Sequence, residues 1–323
     1  MTKSDVQTPS RLETWPLRFW SARSWSLAPS KRLLVLFCFT FQVLSLQFFR
    51  PSLLAPYMKN FSACSSLHAQ CSMENTAFVA GENLEYQLYF NWKFIWIKAG
   101  TANLNISQAK YGGEQAYRCH LITRGSKRTD KFFMMRDTLL SFVRPDLVPL
   151  YYRKGAREGK RYNVDEVWYN YSGGRTNLKQ RFLNYRGHVS DTTYHTQECV
   201  YDMVSMLLRA RSFDPTRFTD GQKLQFYMAD GSHVKLETLI YRGKKNFKME
   251  QTGIVYRCLV FSFVEYNDKK EREVVTFYIT DDENHTPVRL DLFLRFGTAK
   301  AFLTKSENLR NPQTSIVSTP SKR

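Results

Sequence analysis

The chain has 323 residues, 43% of them hydrophobic and 15% aromatic, and a formal net charge of +18. That length supports one large domain or two ordinary ones, with a core that needs neither metal nor disulfide to hold it, so core size excludes little. The charge attracts any polyanion, whether nucleic acid, anionic lipid or acidic glycan, or marks only a soluble basic surface. The basic residues are spread along the chain beside no helix-turn-helix, zinc-finger or RNP-like motif, which argues against specific nucleic-acid binding.

Residues 1–30 are polar and basic and lead through Lys31-Arg32 into the apolar run "LLVLFCFTFQVLSLQFF" at 33–49. Positive charge before an apolar run is the order of an export signal. The run is interrupted by Thr40, Gln42, Ser45 and Gln47 and is short for a membrane span. Residues 1–71 are therefore read as a leader with an export signal or weak signal anchor, through which the chain could associate with a membrane. "HAQC", ending at Cys71, fails as a lipoprotein box because Gln70 stands where a small residue is needed.

From Gly81 onward the pattern is strand and turn. Leu84, Tyr86, Leu88 and Phe90 alternate with Glu85, Gln87 and Asn91, the mark of a half-buried antiparallel strand. Trp92, Phe94, Trp96 and Ile97 then crowd both faces, and Gly100 allows a bend before Ala102, Leu104 and Ile106 resume the alternation. Gly112-Gly113 is a turn before a strand holding Tyr117, Cys119 and Leu121. "SKRTDKFFMMRDTLLSFV" at 126–143 reads as helix-like from an imperfect apolar stripe. Two more strands follow, joined by a basic turn with Lys154, Arg157, Lys160 and Arg161.

The strongest helix signal is 196–213, where Val200, Met203, Val204, Leu207 and Leu208 recur at helical spacing and Arg209 and Arg211 sit near the C-terminal end. Asp230-Gly231 marks a hairpin. Strands then continue to about residue 304, and the last alternates Val288, Leu290, Leu292 and Leu294 with Arg289, Asp291 and Phe293. Past Ser306 the composition turns to Asn, Ser, Thr, Pro and Lys, which predicts a disordered tail over 305–323. Of six cysteines none forms a CxxC pair. Cys119 and Cys258 both follow "YRC" and are the first pair to inspect for a disulfide, the alternative being two small buried residues in unrelated strands.

The order "GENLEYQLYFNWKFIWIKAGTANLNI", "CVYDMVSMLLRAR", "DGQKLQFYMADG" and "FYITDDENHTPVRLDLFLRFGTAKAFLTK" resembles the exported bacterial proteins grouped as domain of unknown function 3108, over residues 78–304. The resemblance implies an exported protein of the periplasm or outer envelope of a Gram-negative bacterium. It also implies a mainly β fold: one domain whose twisted antiparallel sheet curls into an open or half barrel with one or two covering helices, similar by analogy to lipoprotein carriers. It supplies no catalytic residues, and fold does not fix function.

The residues themselves carry no GxSxG elbow, Walker loop, HExxH or HxH arrangement, so neither a metal nor a cofactor is expected. "TDDENH" at 280–285 could supply acid-base carboxylates but reads better as a polar hairpin turn. The leading expectation is a noncatalytic binder of an amphipathic or anionic ligand, a lipid or acidic glycan, with Trp92, Phe94 and Trp96 taking the apolar part and Lys154, Arg157, Lys160 and Arg161 the charge. The alternatives are an envelope enzyme acting on an acidic polysaccharide through Asp281, Asp282, His188 or Tyr residues, and an assembly partner of other envelope proteins.

Overall fold

Alternation of apolar and polar side chains recurs along most of the sixteen strands that form a single sheet. A computed structural model describes residues 71–319 apart from 93–94, 131–133, 268–269 and 295–296. The apolar run at 33–49 and Phe94 lie outside the described residues. Strands β1 (Asn83–Trp92), β2 (Ile95–Tyr111), β3 (Glu114–Gly125) and β4 (Met135–Val143) open the chain, with a four-residue helix α1 (Lys127–Asp130) between the last two. They continue as β5 (Pro149–Glu158), β6 (Arg161–Ser172), β7 (Arg175–Leu183) and β8 (Val189–Thr196).

A short β9 (Val200–Tyr201) and helix α2 (Met203–Ala210) interrupt the run. After them come β10 (Lys223–Ala229), β11 (Val234–Lys248), β12 (Val255–Asn267), β13 (Lys270–Thr280), β14 (Pro287–Leu294), β15 (Gly297–Glu307) and β16 (Ile316–Ser318). The spatial order is β8 back to β1, then β15 back to β9, with β16 paired to β12. First and last halves thus join through the β1–β15 ladder, Asn83 to Glu307 and Asn91 to Thr298. Every ladder is antiparallel except β9 with β10.

The sheet curls without closing. Register shifts in the β1–β2, β11–β12 and β12–β13 ladders sharpen its twist, the first of them opposite Gly100. The β10–β11 turn reaches across to the other edge, where Gly231 N donates to Gln180 Oε1 at 3.2 Å and Thr192 Oγ1 donates to Ser232 O at 3.3 Å. Gly231 is required there: its φ is +104°, and a Cβ would stand 2.5 Å from the Cβ of Asp165. These are isolated bonds and not a ladder, so the barrel stays open.

The enclosed face carries the core, including Leu84, Ile106, Cys119, Val143, Val167 and Leu178, and α2 lies over it with Val204 and Leu208 buried. Asp202 starts α2 by accepting from Val204 N and Ser205 N, both at 2.9 Å, while Ser205 Oγ takes the Asp202 N–H, a capping box.

Three expectations are corrected. The helix expected over 196–213 covers only 203–210, because the Asp202 cap starts it late and Cys199 and Val200 belong to a disulfide and to β9. The helix-like segment at 126–143 is helical only over the four residues of α1, and its second half is β4; Leu140 and Phe142 on its outer face fill the gaps of a period-two pattern and imitate a helical stripe. The tail is ordered to residue 319: the Asn284 side chain donates to Asn311 O and accepts from Asn311 N, both at 2.8 Å, Ser315 N donates to Asp282 Oδ2 at 3.3 Å, and β16 pairs with β12. A polar composition was no bar to order, since Asn and Asp side chains clamp its backbone.

The candidate Cys119–Cys258 bond does not form, and the alternative of two small buried residues in unrelated strands holds. Cys119 lies on β3 and Cys258 on β12 with five strands between them, and both are free and buried. The disulfide joins Cys71 to Cys199, with Cα atoms 5.5 Å apart, so Cys71 belongs to the folded unit and not to a leader.

Candidate functional site

Antiparallel hairpins give the barrel two unlike ends. One, here called the base, collects the β2–β3, β4–β5, β6–β7, β11–β12 and β13–β14 turns together with α2; the other, the rim, collects the β1–β2, β3–β4, β5–β6, β7–β8, β10–β11, β12–β13 and β14–β15 turns.

Between them the inner face leaves an apolar cavity. A lobe of about 240 Å³ lies between α2 and β10 to β14, lined among others by Met203, Leu207, Phe226, Phe261 and Phe277. A second lobe of about 160 Å³ lies against β1 to β5, β14 and β15. Both share Leu104, Leu121, Leu139, Leu207, Leu290, Leu292 and Leu294 as walls, so they adjoin. The second lobe runs toward the rim, where Met135 at the start of β4, Leu294 at the end of β14 and Ala299 near the start of β15 line it.

The base is shut by a buried ion pair. Arg211, just after α2, sends Nη1 and Nη2 to the two Glu82 carboxylate oxygens at 2.5 and 2.9 Å, with side-chain exposures of 1% and 0%. Its Nε and Nη2 also donate to Asn284 O at 3.2 and 3.0 Å, and its guanidinium lies 5.5 Å from the Phe78 ring centroid. His285 Nδ1 meets Arg211 O at 2.5 Å, and burial holds its imidazole below the usual range.

A small polar cluster marks the second lobe. Lys154 on β5, 8% exposed, sits across from Asp165 on β6, with Nζ 4.0 Å from Oδ2. Asp137 on β4 and Lys154 both line the lobe, and Asp137 Oδ1 is buried with no hydrogen-bond partner among the described residues. Burial raises Asp137 to about 6 although Lys154 opposes it, and raises Asp165 to about 6 by the same balance. An unsatisfied carboxylate oxygen facing an apolar lobe can accept a hydrogen bond from a polar group carried in by a ligand.

The residues singled out from the sequence divide between these places. Lys154 faces the cavity. Arg157, Lys160 and Arg161 are exposed at the rim instead, since 154 and 157 fall on opposite faces of β5 and only Gly159-Lys160 form the turn. Trp92 ends β1 at the rim, and Trp96 is exposed there with Lys300 Nζ 4.3 Å from its ring centroid. Trp96 does not line the cavity, whose described walls come from alternate positions along the strands and from α2.

The carboxylates weighed for acid-base work are committed elsewhere. Burial works against the charge of Asp281, but hydrogen bonds from Lys244 at 3.0 Å and Arg257 at 2.9 Å outweigh it and hold its carboxyl below the ordinary range. Asp282 accepts from Thr280 Oγ1 and Asn284 N inside the turn, and His188 is exposed on the distant β7–β8 turn. Sequence reasoning missed Asp137, Asp165 and the Arg211–Glu82 pair; the available signal for the first two was an acidic residue at an inward position of an alternating strand.

Residues 85–304 match the family described as Protein of unknown function (DUF3108). The chain belongs to this family. It is also similar in structure to a beta-barrel-like protein of domain of unknown function DUF1849 from Brucella abortus, at 8% identity and a TM-score of 0.48, over 72% of this chain and 99% of that one. A putative exported protein with a YmcC-like fold from Bacteroides fragilis is similar at 8% identity and a TM-score of 0.32, over 73% and 100%. No curated protein matches the chain. No helix among the described residues is long and apolar enough to cross a membrane.

Proposed function

We propose that this protein is exported to a bacterial cell envelope and there binds, without catalysis, the apolar part of an amphipathic molecule inside its curled sheet. The observation that carries the reading is the pair of adjoining apolar lobes, walled by leucine, phenylalanine and methionine, the second of them bearing Lys154 and Asp137. The two lobes together reach the lower end of the ~300–1,000 Å³ range of small-molecule sites. An apolar chain fits the walls, and a polar head can meet Lys154 and Asp137. Export is supported by the Cys71–Cys199 disulfide, a bond that persists in oxidising compartments.

Native mass spectrometry of the full chain purified from an envelope fraction, followed by organic extraction, tests the reading. A discrete adduct that extracts as lipid is the expected result. A mass equal to the polypeptide alone, together with no uptake of a fluorescent fatty acid added afterwards, refutes it.

A further inference from the structure

The two ends of the barrel are built from equivalent hairpins, yet their turns differ. Ten large hydrophobic side chains are exposed among the described residues, and nine stand within three residues of a rim turn. Ile95 (65% exposed) and Trp96 come from the β1–β2 turn, Tyr162 from β5–β6, Tyr185 from β7–β8, Tyr266 from β12–β13 and Phe293 from β14–β15. The exception, Val317, lies on β16 beside the start of β12, at the base. Base turns are instead made of Gly112-Gly113, Gly173-Gly174 and the polar segment 281–286.

Basic residues stand among these rings. Lys127, Arg128, Arg157, Lys160, Arg161 and Arg186 are exposed at the rim, and none makes an ion pair with a described carboxylate; exposed basic residues occur at the base too, Lys110, Arg175, Lys245 and Lys248 among them, so it is the rings that set the rim apart. The acidic residues near them are already matched, Asp130 by Arg136, Asp191 by Arg181, Glu265 by Arg272 and Glu271 by Arg242. Cations and rings are interleaved: Arg161 and Arg186 lie 5.0 and 5.3 Å from the Tyr185 centroid, and Arg157 lies 5.6 Å from that of Tyr162.

We infer that this rim docks onto the surface of an anionic phospholipid bilayer. Tyrosine, tryptophan and arginine are the side chains with an apolar body and a polar end, and a membrane interface satisfies both. Carried on separate protruding turns they meet a broad planar boundary better than a linear polyanion, which would call for a continuous groove. Exposed lysine and arginine complement anionic headgroups. The second lobe of the cavity runs toward this same end, so docking would bring the lumen to the lipid. The inference does not depend on the cavity taking a ligand.

Hydrogen exchange of the full chain, read by peptide mass spectrometry with vesicles of phosphatidylcholine alone or mixed with phosphatidylglycerol, tests it. Peptides covering 95–98, 157–162 and 184–189 are expected to gain protection on the anionic vesicles only, and to lose it at high ionic strength. The variant Arg157→Ser/Lys160→Ser/Arg161→Ser should need about a hundredfold more lipid, since each basic residue near an anionic surface contributes about fivefold. Trp96→Ser/Tyr185→Ser should weaken docking as well, and both variants should keep wild-type circular dichroism and wild-type uptake of a fluorescent fatty acid. Unchanged rim peptides, including the case in which only 33–49 becomes protected, overturn the inference. So does equal protection on neutral vesicles, or protection by a nucleic acid or acidic glycan without any by vesicles.

Discussion

Replacing Arg211 by methionine removes the cation from the buried pair at the base while keeping an unbranched apolar chain over Phe78. Glu82, whose side chain has no exposure, is then left as a carboxylate without its partner. Breaking a buried pair from one side costs ~3–5 kcal/mol, and Asn284 O loses two donors, a further ~1–3 kcal/mol for a buried acceptor left unmade. A loss of about 4–8 kcal/mol is comparable with the whole stability of a domain, ~5–15 kcal/mol. Urea unfolding of the full chain at neutral pH, followed by tryptophan fluorescence, measures it. The double variant Arg211→Met/Glu82→Leu removes both charges and should recover to within about 2 kcal/mol of the wild type, since an apolar pair of similar volume can replace a buried ion pair. A single variant less than about 1 kcal/mol weaker than wild type, or a double variant worse than the single, would refute the reasoning.

Reduction or Cys71→Ser/Cys199→Ser opens a link between residues 128 apart, for which chain entropy gives up to about 5 kcal/mol; a urea midpoint unchanged by reductant would contradict this. Burial raises Asp202 to about 6 against the hydrogen bonds of its cap, so the native state binds a proton that the unfolded chain has released above about 4. Its stabilising contribution is therefore full at low pH and disappears as pH rises through about 6, a loss of about 1 kcal/mol between pH 5 and 7.5. Asp202→Asn keeps the cap and should flatten that slope by this amount; an identical slope would be inconsistent with the assignment. Burial pushes the Cys258 thiol up to about 12 and raises Cys119 as well, so peptide mapping after alkylation of the folded chain should find both unmodified, and modification of either would show it accessible.

Alternation made most of the sheet legible: Leu84 to Phe90 and Val288 to Leu294 turn one side inward as their spacing requires. The pattern failed where both faces are apolar. In β4, Phe142 packs on the outer surface beside Tyr111 and Tyr151, with Leu140 on the same face of the strand, and a strand apolar on both faces looks helical to a periodicity argument. Cysteine pairing failed for another reason. It depends on which strands come together, and the repeated "YRC" places two thiols on strands separated by the whole β1–β15 junction. The cavity was legible as an idea and not as an address, because its walls are single residues contributed by many strands. The rim was legible in principle: "NWKFIW", "EGKRY", "NYRGH" and "LFLRFG" are alternate turns of one meander, and only the hairpin order shows that they share an end.

That order also divides stability from contact. The disulfide packs against Val148 and Tyr171, and together with the capping box of α2, the Arg211–Glu82 pair and the clamp of Asn284 on Asn311 it gathers at the base. The rim has Gly231 wedged against Asp165 and surface ion pairs such as Arg136 with Asp130, which contribute at most about 1 kcal/mol each. Local opening should therefore be cheap at the rim and approach the global unfolding cost at the base. A binding protein gains from this polarity: tips that open easily can adjust to a surface or admit a chain, while the far end keeps the lumen shaped. The exchange experiment already described reads it without lipid, as amides of 184–189 exchanging faster than those of 281–286 under native conditions, and equal rates at the two ends would remove the basis for assigning them different work.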